Sequence, residues 1–293
     1  MTLAPDKLRA ALAGLLASLA VAGSAWAAPP VWVVKSKTAE VVLFGSVHVL
    51  PPGLDWEPLA LKAAVAHADE IWFELPIDPA TEADTAREAT TLGVLPPDQS
   101  LFKLLPPDDA QRLSRVAQTY DASPMLLDRL KPWLAEIALA GAAYRKDGAE
   151  TGLGVEQALA AEAPPSALRH AFETPAQQLA IFADTPWPEQ VASLHETLKE
   201  LEEEPDEYGQ LIHAWISGDV AALDHEALEP LRQASPDLFR RVVTERNERW
   251  VAALQARLKG HGRIVVVVGV GHLVGAGGLP SRLRALGYSV QGP

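Results

Sequence analysis

Two glycine-histidine tracts carry the chemistry most open to reading in this chain: Gly45-Ser46-Val47-His48 and Gly269-Val270-Gly271-His272. Each follows a run rich in β-branched residues, Val41 to Val47 and Arg263 to Val268, so each imidazole is expected just past the carboxyl end of a strand. Ligands of open α/β sheets bind there. A glycine at such a place lets the backbone turn or come close to a ligand. A single strand-end histidine is commonly a packed residue, but the chain has only 8 histidines, and these two share one context at opposite ends of the sequence. Glu74 joins them by a separate route. It closes Ile71-Trp72-Phe73-Glu74-Leu75, a strand stopped by Pro76 and reached from His48 through one right-handed β-α-β crossover, which puts its carboxylate at the same sheet edge. Two imidazoles and one carboxylate with open positions can bind a divalent transition metal (Mn, Co or Zn) and leave room for water. His48, His272 and Glu74 are therefore the expected metal ligands. The plainer alternative for Glu74 is a carboxylate that caps the next turn or pairs with a base.

The elements that must position these residues follow from periodicity. Val31 to Val34 and Val41 to Val47, separated by Lys35-Ser36-Lys37-Thr38, read as a hairpin or two neighbouring strands. Pro51-Pro52-Gly53 is a turn, and a helix is expected from Glu57 to His67 with Leu59, Ala63 and Ala66 on one face. From about Pro79 to Trp250 the chain is rich in Ala, Leu and Glu and punctuated by prolines, hence mostly helical, with one short strand from Leu168 to Phe172. Arg263 to Val268 is a fully apolar strand suited to the middle of a sheet, followed by a short helix near Leu279 to Ala285 and a last strand, Tyr288-Ser289-Val290. The expected fold class is thus α/β, a single mixed sheet assembled from N- and C-terminal strands, with a large helical insertion as a cap over roughly 79–250.

Composition narrows the function classes. At 293 residues and 48% hydrophobic content the chain can bury a full core. Lys7 and Arg9 precede an apolar run from Ala10 to Ala22, and Ala25-Trp26-Ala27 offers small residues at a cleavage site, so residues 1–27 read as a signal peptide cut after Ala27. The run is too short to span a membrane, and no later segment is expected to cross one. The absence of cysteine excludes a disulfide framework, a thiol nucleophile and a Cys-ligated zinc site. A formal charge of −13, one unit more negative without the leader, argues against nucleic acid as a partner. Gly269 to Gly275 is not a dinucleotide turn, because no Asp or Glu follows Leu273 to hold a ribose. There is no Gly-x-Ser-x-Gly elbow or Walker loop, and His195-Glu196 lacks the second histidine of a zinc helix. The acidic run Glu200 to Glu207 reads as a solvated helix end.

These tracts together resemble the TraB/PrgY/GumN family, in its GumN-like branch. The resemblance runs in order through Gly45 to Pro51, the strand ending at Glu74, Gly154-Val155-Glu156-Gln157, Glu173-Thr174-Pro175-Ala176-Gln177-Gln178, Ala214-Trp215-Ile216-Ser217-Gly218-Asp219, Arg246-Asn247 before Trp250, and Gly269 to Leu273. It spans nearly all of residues 28–293. Members of the family include the Tiki proteins, regarded as metal-dependent proteases, and more distant relatives include erythromycin esterases and a ChaN-like haem-binding lipoprotein. The resemblance implies that the two Gly-x-x-His motifs act through His48 and His272, the strand-end acid through Glu74, and a polar helix motif through Arg246 and Asn247. The branch often carries Asp where this chain has Glu156. From spacing alone Thr244 to Trp250 is a helix with Glu245 and Arg249 placed for an i,i+4 surface pair. The resemblance instead points to Arg246 stabilising a developing anion and Asn247 orienting a substrate carbonyl, with Arg246, Asn247 and Glu74 as catalytic residues.

Three functions remain open on the sequence. The first is a periplasmic or secreted metal-dependent hydrolase, with a peptidase as one form, acting on a peptide or small-molecule substrate. The second is a metal-independent, esterase-like hydrolase in which a histidine is the general base and Glu74 orients it. The third is a haem- or peptide-binding protein without turnover.

Overall fold

A computed structural model describes residues 28–293 except 151, 204 and 205. The signal-peptide reading of 1–27 lies outside the described residues.

Six strands form one mixed sheet: β1 (Val31–Lys35), β2 (Ala39–Ser46), β3 (Glu70–Phe73), β4 (Leu168–Ala171), β5 (Gly262–Gly269) and β6 (Ser289–Gln291). Their order across the sheet is β4-β3-β5-β2-β1-β6. β1 and β2 make the expected hairpin, with Val33 opposite Val42, and β6 adds antiparallel to the outer edge of β1. β2, β5, β3 and β4 are all parallel. The apolar run of β5 is buried on both faces, as a central parallel strand requires. Because β5 slots between β2 and β3, the C-terminal motif stands between the two N-terminal ones. The four parallel strands end side by side and release His48, His272, Glu74 and Glu173 at one edge of the sheet. Sheet assembly from sequence-distant ends is thus what builds the site.

The helix after the first turn spans Leu59–Ala66. Its inward face differs from the one read off the sequence: Leu61 and Val65 are buried together with Ala68 just beyond the helix, while Leu59 is 84% exposed and Ala63 and Ala66 face solvent. In a helix whose only polar side chain is Lys62, periodicity does little to choose a face. The larger Leu61/Val65 pair wins the sheet contact because it removes more apolar area from water.

The middle of the chain is helical as expected, interrupted by β4. It divides between two cores. One set of side chains, including Trp215, Leu223, Trp250 and Leu254, joins the strands in the sheet core. A second cluster, among them Leu101, Leu113, Leu139, Leu194 and Leu198, holds the outer helices to one another. No described helix is long and apolar enough to cross a membrane.

Candidate functional site

His48 lies two residues beyond β2 and projects into a cleft, with 71% of its side-chain surface accessible. Its Nδ1–H donates to Glu156 Oε1 at 2.6 Å, and Ser46 Oγ donates to the same oxygen at 2.7 Å. Glu156 sits in the first turn of the helix Val155–Glu162, buried behind the ring. The pair fixes the imidazole with Nε2 directed at the cleft. The Glu156 charge is the largest influence on His48; it prevails over burial and, with the Glu156 hydrogen bond and Glu74, raises the imidazole to about 9. Burial would push the Glu156 carboxyl up, but His48 and Ser46 hold it below its ordinary value. At neutral pH the two are an imidazolium and a carboxylate.

His272 ends the 3-10 turn Val270–His272 that follows β5, and it is buried. Its Nδ1–H donates to Asn247 Oδ1 at 2.7 Å. The Asn247 amide is oriented by its other two bonds, Nδ2–H donating to the carbonyls of His272 at 3.2 Å and Gly277 at 2.9 Å. The Nε2 lone pair of His272 accepts from Arg246 Nη1 at 3.0 Å. Burial chiefly, with the Arg246 charge adding to it, lowers His272 to about 3 against the pull of Glu74, so the ring is neutral.

Glu74 joins the two halves. Oε1 accepts the Gly269 backbone N–H at 2.8 Å, and Oε2 accepts Gln178 Nε2 at 3.0 Å and Arg246 Nη2 at 2.5 Å. Burial alone would raise this carboxyl, but Arg246, His272 and His48 outweigh it and hold it at about 2. A side chain at Gly269 would put its Cβ 3.2 Å from Glu74 Oε1, 3.9 Å from His48 Nε2 and 3.9 Å from His272 Cδ2. The three expected metal ligands therefore converge over the Cα of Gly269, where an added Cβ would press on Glu74 Oε1.

Arg246 is buried, so the surface salt-bridge ladder does not form: Glu245 pairs with Arg240, and Arg249 with Glu173. The guanidinium is clamped between Glu74 and Glu173, with Nε–H directed at both Glu173 oxygens at 3.0 Å and Nη2 2.9 Å from Glu173 Oε2. Nη1 also donates to the Val242 carbonyl at 3.3 Å, and the Trp250 ring lies under the guanidinium at 4.6 Å. The π-helical turn Arg240–Thr244 directly precedes it, the kind of irregularity common beside functional sites. All the guanidinium's N–H groups are thus engaged by protein acceptors. Asn247 is fully buried and acts on His272 from behind.

Sequence reading missed Glu173, Gln178 and the role of Glu156. Glu173 was reachable by the logic that found Glu74, since it follows the β4 strand end. Gln178 lies in the helix Pro175–Ala183, opened by a Thr174/Gln177 capping box, and only that helix's docking aims it at Glu74. Trp215 Nε1–H donates to the Gly45 carbonyl at 2.9 Å, so a further motif of the sequence braces the β2 end.

The expected metal set can be tested against this geometry. Its chemistry is right, and each histidine is tied through Nδ1 to an acceptor behind it, the outer-shell pattern of metal-bound imidazoles. The directions are not right. His272 Nε2 and Glu74 Oε2 both face Arg246, and among the described residues no group of three or more His, Cys, Asp or Glu is placed to hold a metal ion. As arranged, the residues do not fit the ion. The same groups stand beside a cavity of about 450 Å³.

The chain is 25% identical to the uncharacterized protein YbaP of Escherichia coli (strain K12) over 243 residues, covering 83% of this chain and 87% of YbaP, and it matches YbaP of Shigella flexneri to the same extent. No solved structure matches it. The model of the TraB/PrgY/gumN family matches residues 30–292, essentially the whole described fold with every site residue inside it, and the chain belongs to that family.

Proposed function

We propose that the chain is an exported hydrolase of carbonyl compounds, esters or peptides, in which His48 takes the proton from the attacking water. The carrying observation is the Glu156-His48 pair: a buried carboxylate fixes Nδ1 and leaves Nε2 facing a cavity that also exposes Glu74 and the backbone of Gly269 and Gly271. Such a pair is the orienting half of acid-base hydrolytic sites, with Glu156 stabilising the imidazolium formed as water attacks. The chain's own Ser46 is committed to Glu156, which leaves water as the nucleophile. Arg246 acts through its neighbours: it keeps Glu74 ionised and His272 neutral, and so sets the charge facing the substrate. With His48 raised to about 9, the reactive base form grows tenfold per pH unit up to that value. The leader-like N-terminus is what supports export.

A metal-assisted form of the same hydrolysis has one observation in its favour, the acceptors Glu156 and Asn247 behind the two histidines. It requires Arg246 to release His272. A panel of activated esters and short peptides, assayed with wild-type protein and His48→Ala with and without a chelator, decides among the readings. The proposal expects turnover that survives the chelator and disappears in His48→Ala. Loss with the chelator and recovery with Mn, Co or Zn would transfer the role to a metal. No turnover of any substrate, with a haem or peptide bound instead, would leave a binding protein.

A further inference from the structure

We propose that the cavity beside His48 is a subsite for an uncharged aliphatic acyl chain joined to the carbonyl under attack; this rests on the hydrolase reading above. The floor of the cavity is the polar sheet edge. Its walls are mainly apolar and include side chains from separate segments of the helical insertion: Phe182 from Pro175–Ala183, Tyr208 and Leu211 from Glu207–Ser217, Leu228 and Leu231 from Val220–Ala234, and Val242 from the π-helical turn. The wall starts at the reacting end. Leu228 covers Gly271 so closely that a Cβ there would lie 2.8 Å from Leu228 Cδ2, one residue before His272. A group on a carbonyl held at His48 shares this cavity with Leu228, Leu231 and Phe182. The Glu226 carboxylate lines the same cavity and repels a second carboxylate there. Glycine at 271 and converging apolar side chains around an opening of about 450 Å³ give a slot sized for a chain of several carbons.

The test is the acyl-chain dependence of hydrolysis of p-nitrophenyl acetate, butyrate, hexanoate and hydrogen adipate by wild-type protein and Leu231→Lys. Wild type is expected to gain up to about fourfold in kcat/KM per added methylene until the slot fills, the increment of burying one CH₂. The adipate, equally long but ending in a carboxylate, is expected at least about tenfold below the hexanoate. In Leu231→Lys the hexanoate-to-adipate ratio is expected to invert. Calorimetric binding of N-methylbutanamide and N-methylhexanamide separates this inference from the reading under it. If no ester turns over but the hexanamide binds several-fold more tightly, the subsite stands and the hydrolase reading falls. Equal binding of the two amides, or ester rates flat with chain length or highest for the adipate, overturns the subsite.

Discussion

Replacing Glu156 by Gln removes the charge 2.6 Å from His48 Nδ1 while keeping the side chain's size. Glu156 is the largest cause of the rise of His48 from 6.5 to about 9, and Glu74 contributes a smaller part in the same direction. The full rise overstates what the carboxylate contributes, because 71% of the His48 side-chain surface is accessible and solvent screens the pair. We take ~1–2 kcal/mol, which at 1.36 kcal/mol per pH unit puts the variant's imidazole near ~8. The sign follows from linkage. A pKa raised on folding stabilises the folded chain fully below the unfolded value of 6.5, and that stability is lost as pH rises through about 9. Glu156→Gln should therefore be less stable than wild type at pH 6, with the gap narrowing by pH 9.5. Long-range ¹H–¹⁵N spectra of the imidazoles give the titration, and urea unfolding at the two pH values gives the gap. A wild-type His48 titrating below 7, or one that stays near 9 in the variant, would refute the argument that Glu156 sets this group.

Two further outcomes follow from the buried network. Asn247→Ala leaves His272 Nδ1–H and the carbonyls of His272 and Gly277 without their partner in a fully buried place; a loss of about 1–3 kcal/mol is expected by thermal or urea unfolding, and a loss under about 0.5 kcal/mol contradicts the assigned bonds. Arg246→Met strands the Glu74 carboxylate, leaves Glu173 only the exposed Arg249 as a charge partner, and should cost about 3–5 kcal/mol at pH 7. Its deficit should shrink at pH 5, as the stranded Glu74 takes up a proton. In wild type the contribution of Glu74, held at about 2, is present above its ordinary 4.5 and is lost only as pH falls toward 2. A deficit that grows between pH 7 and pH 5 goes against this charge balance.

Much of this site was legible because its main parts sit at strand ends. β-Branched runs closed by glycine located β2 and β5, and one crossover argument carried Glu74 to the edge that holds His48. The edge was right although the order was not readable: nothing in a single sequence says that β5 inserts between β2 and β3. What stayed hidden depends on how helices dock. Glu156 and Gln178 reach the site from helices whose own periodicity says nothing about which strand end they face. Arg246 looked like one rung of a surface ladder because Glu245 and Arg249 have ladder spacing; packing of Trp250, on the same helix, against Phe172 and His272 turned Arg246 inward onto Glu173. The face of the helix Leu59–Ala66 was misread for the same reason, as a segment apolar but for Lys62 leaves the choice of buried face to its neighbours.

The pH–rate profile of ester hydrolysis from pH 6 to 10, measured in chelator with wild type and His48→Ala, bears most directly on the claim that the strand-end imidazole backed by Glu156 does the chemistry. A slope of one that levels near 9 in wild type and is absent from a folded His48→Ala is expected. A profile unchanged by the substitution, or a rate independent of pH across that range, contradicts it.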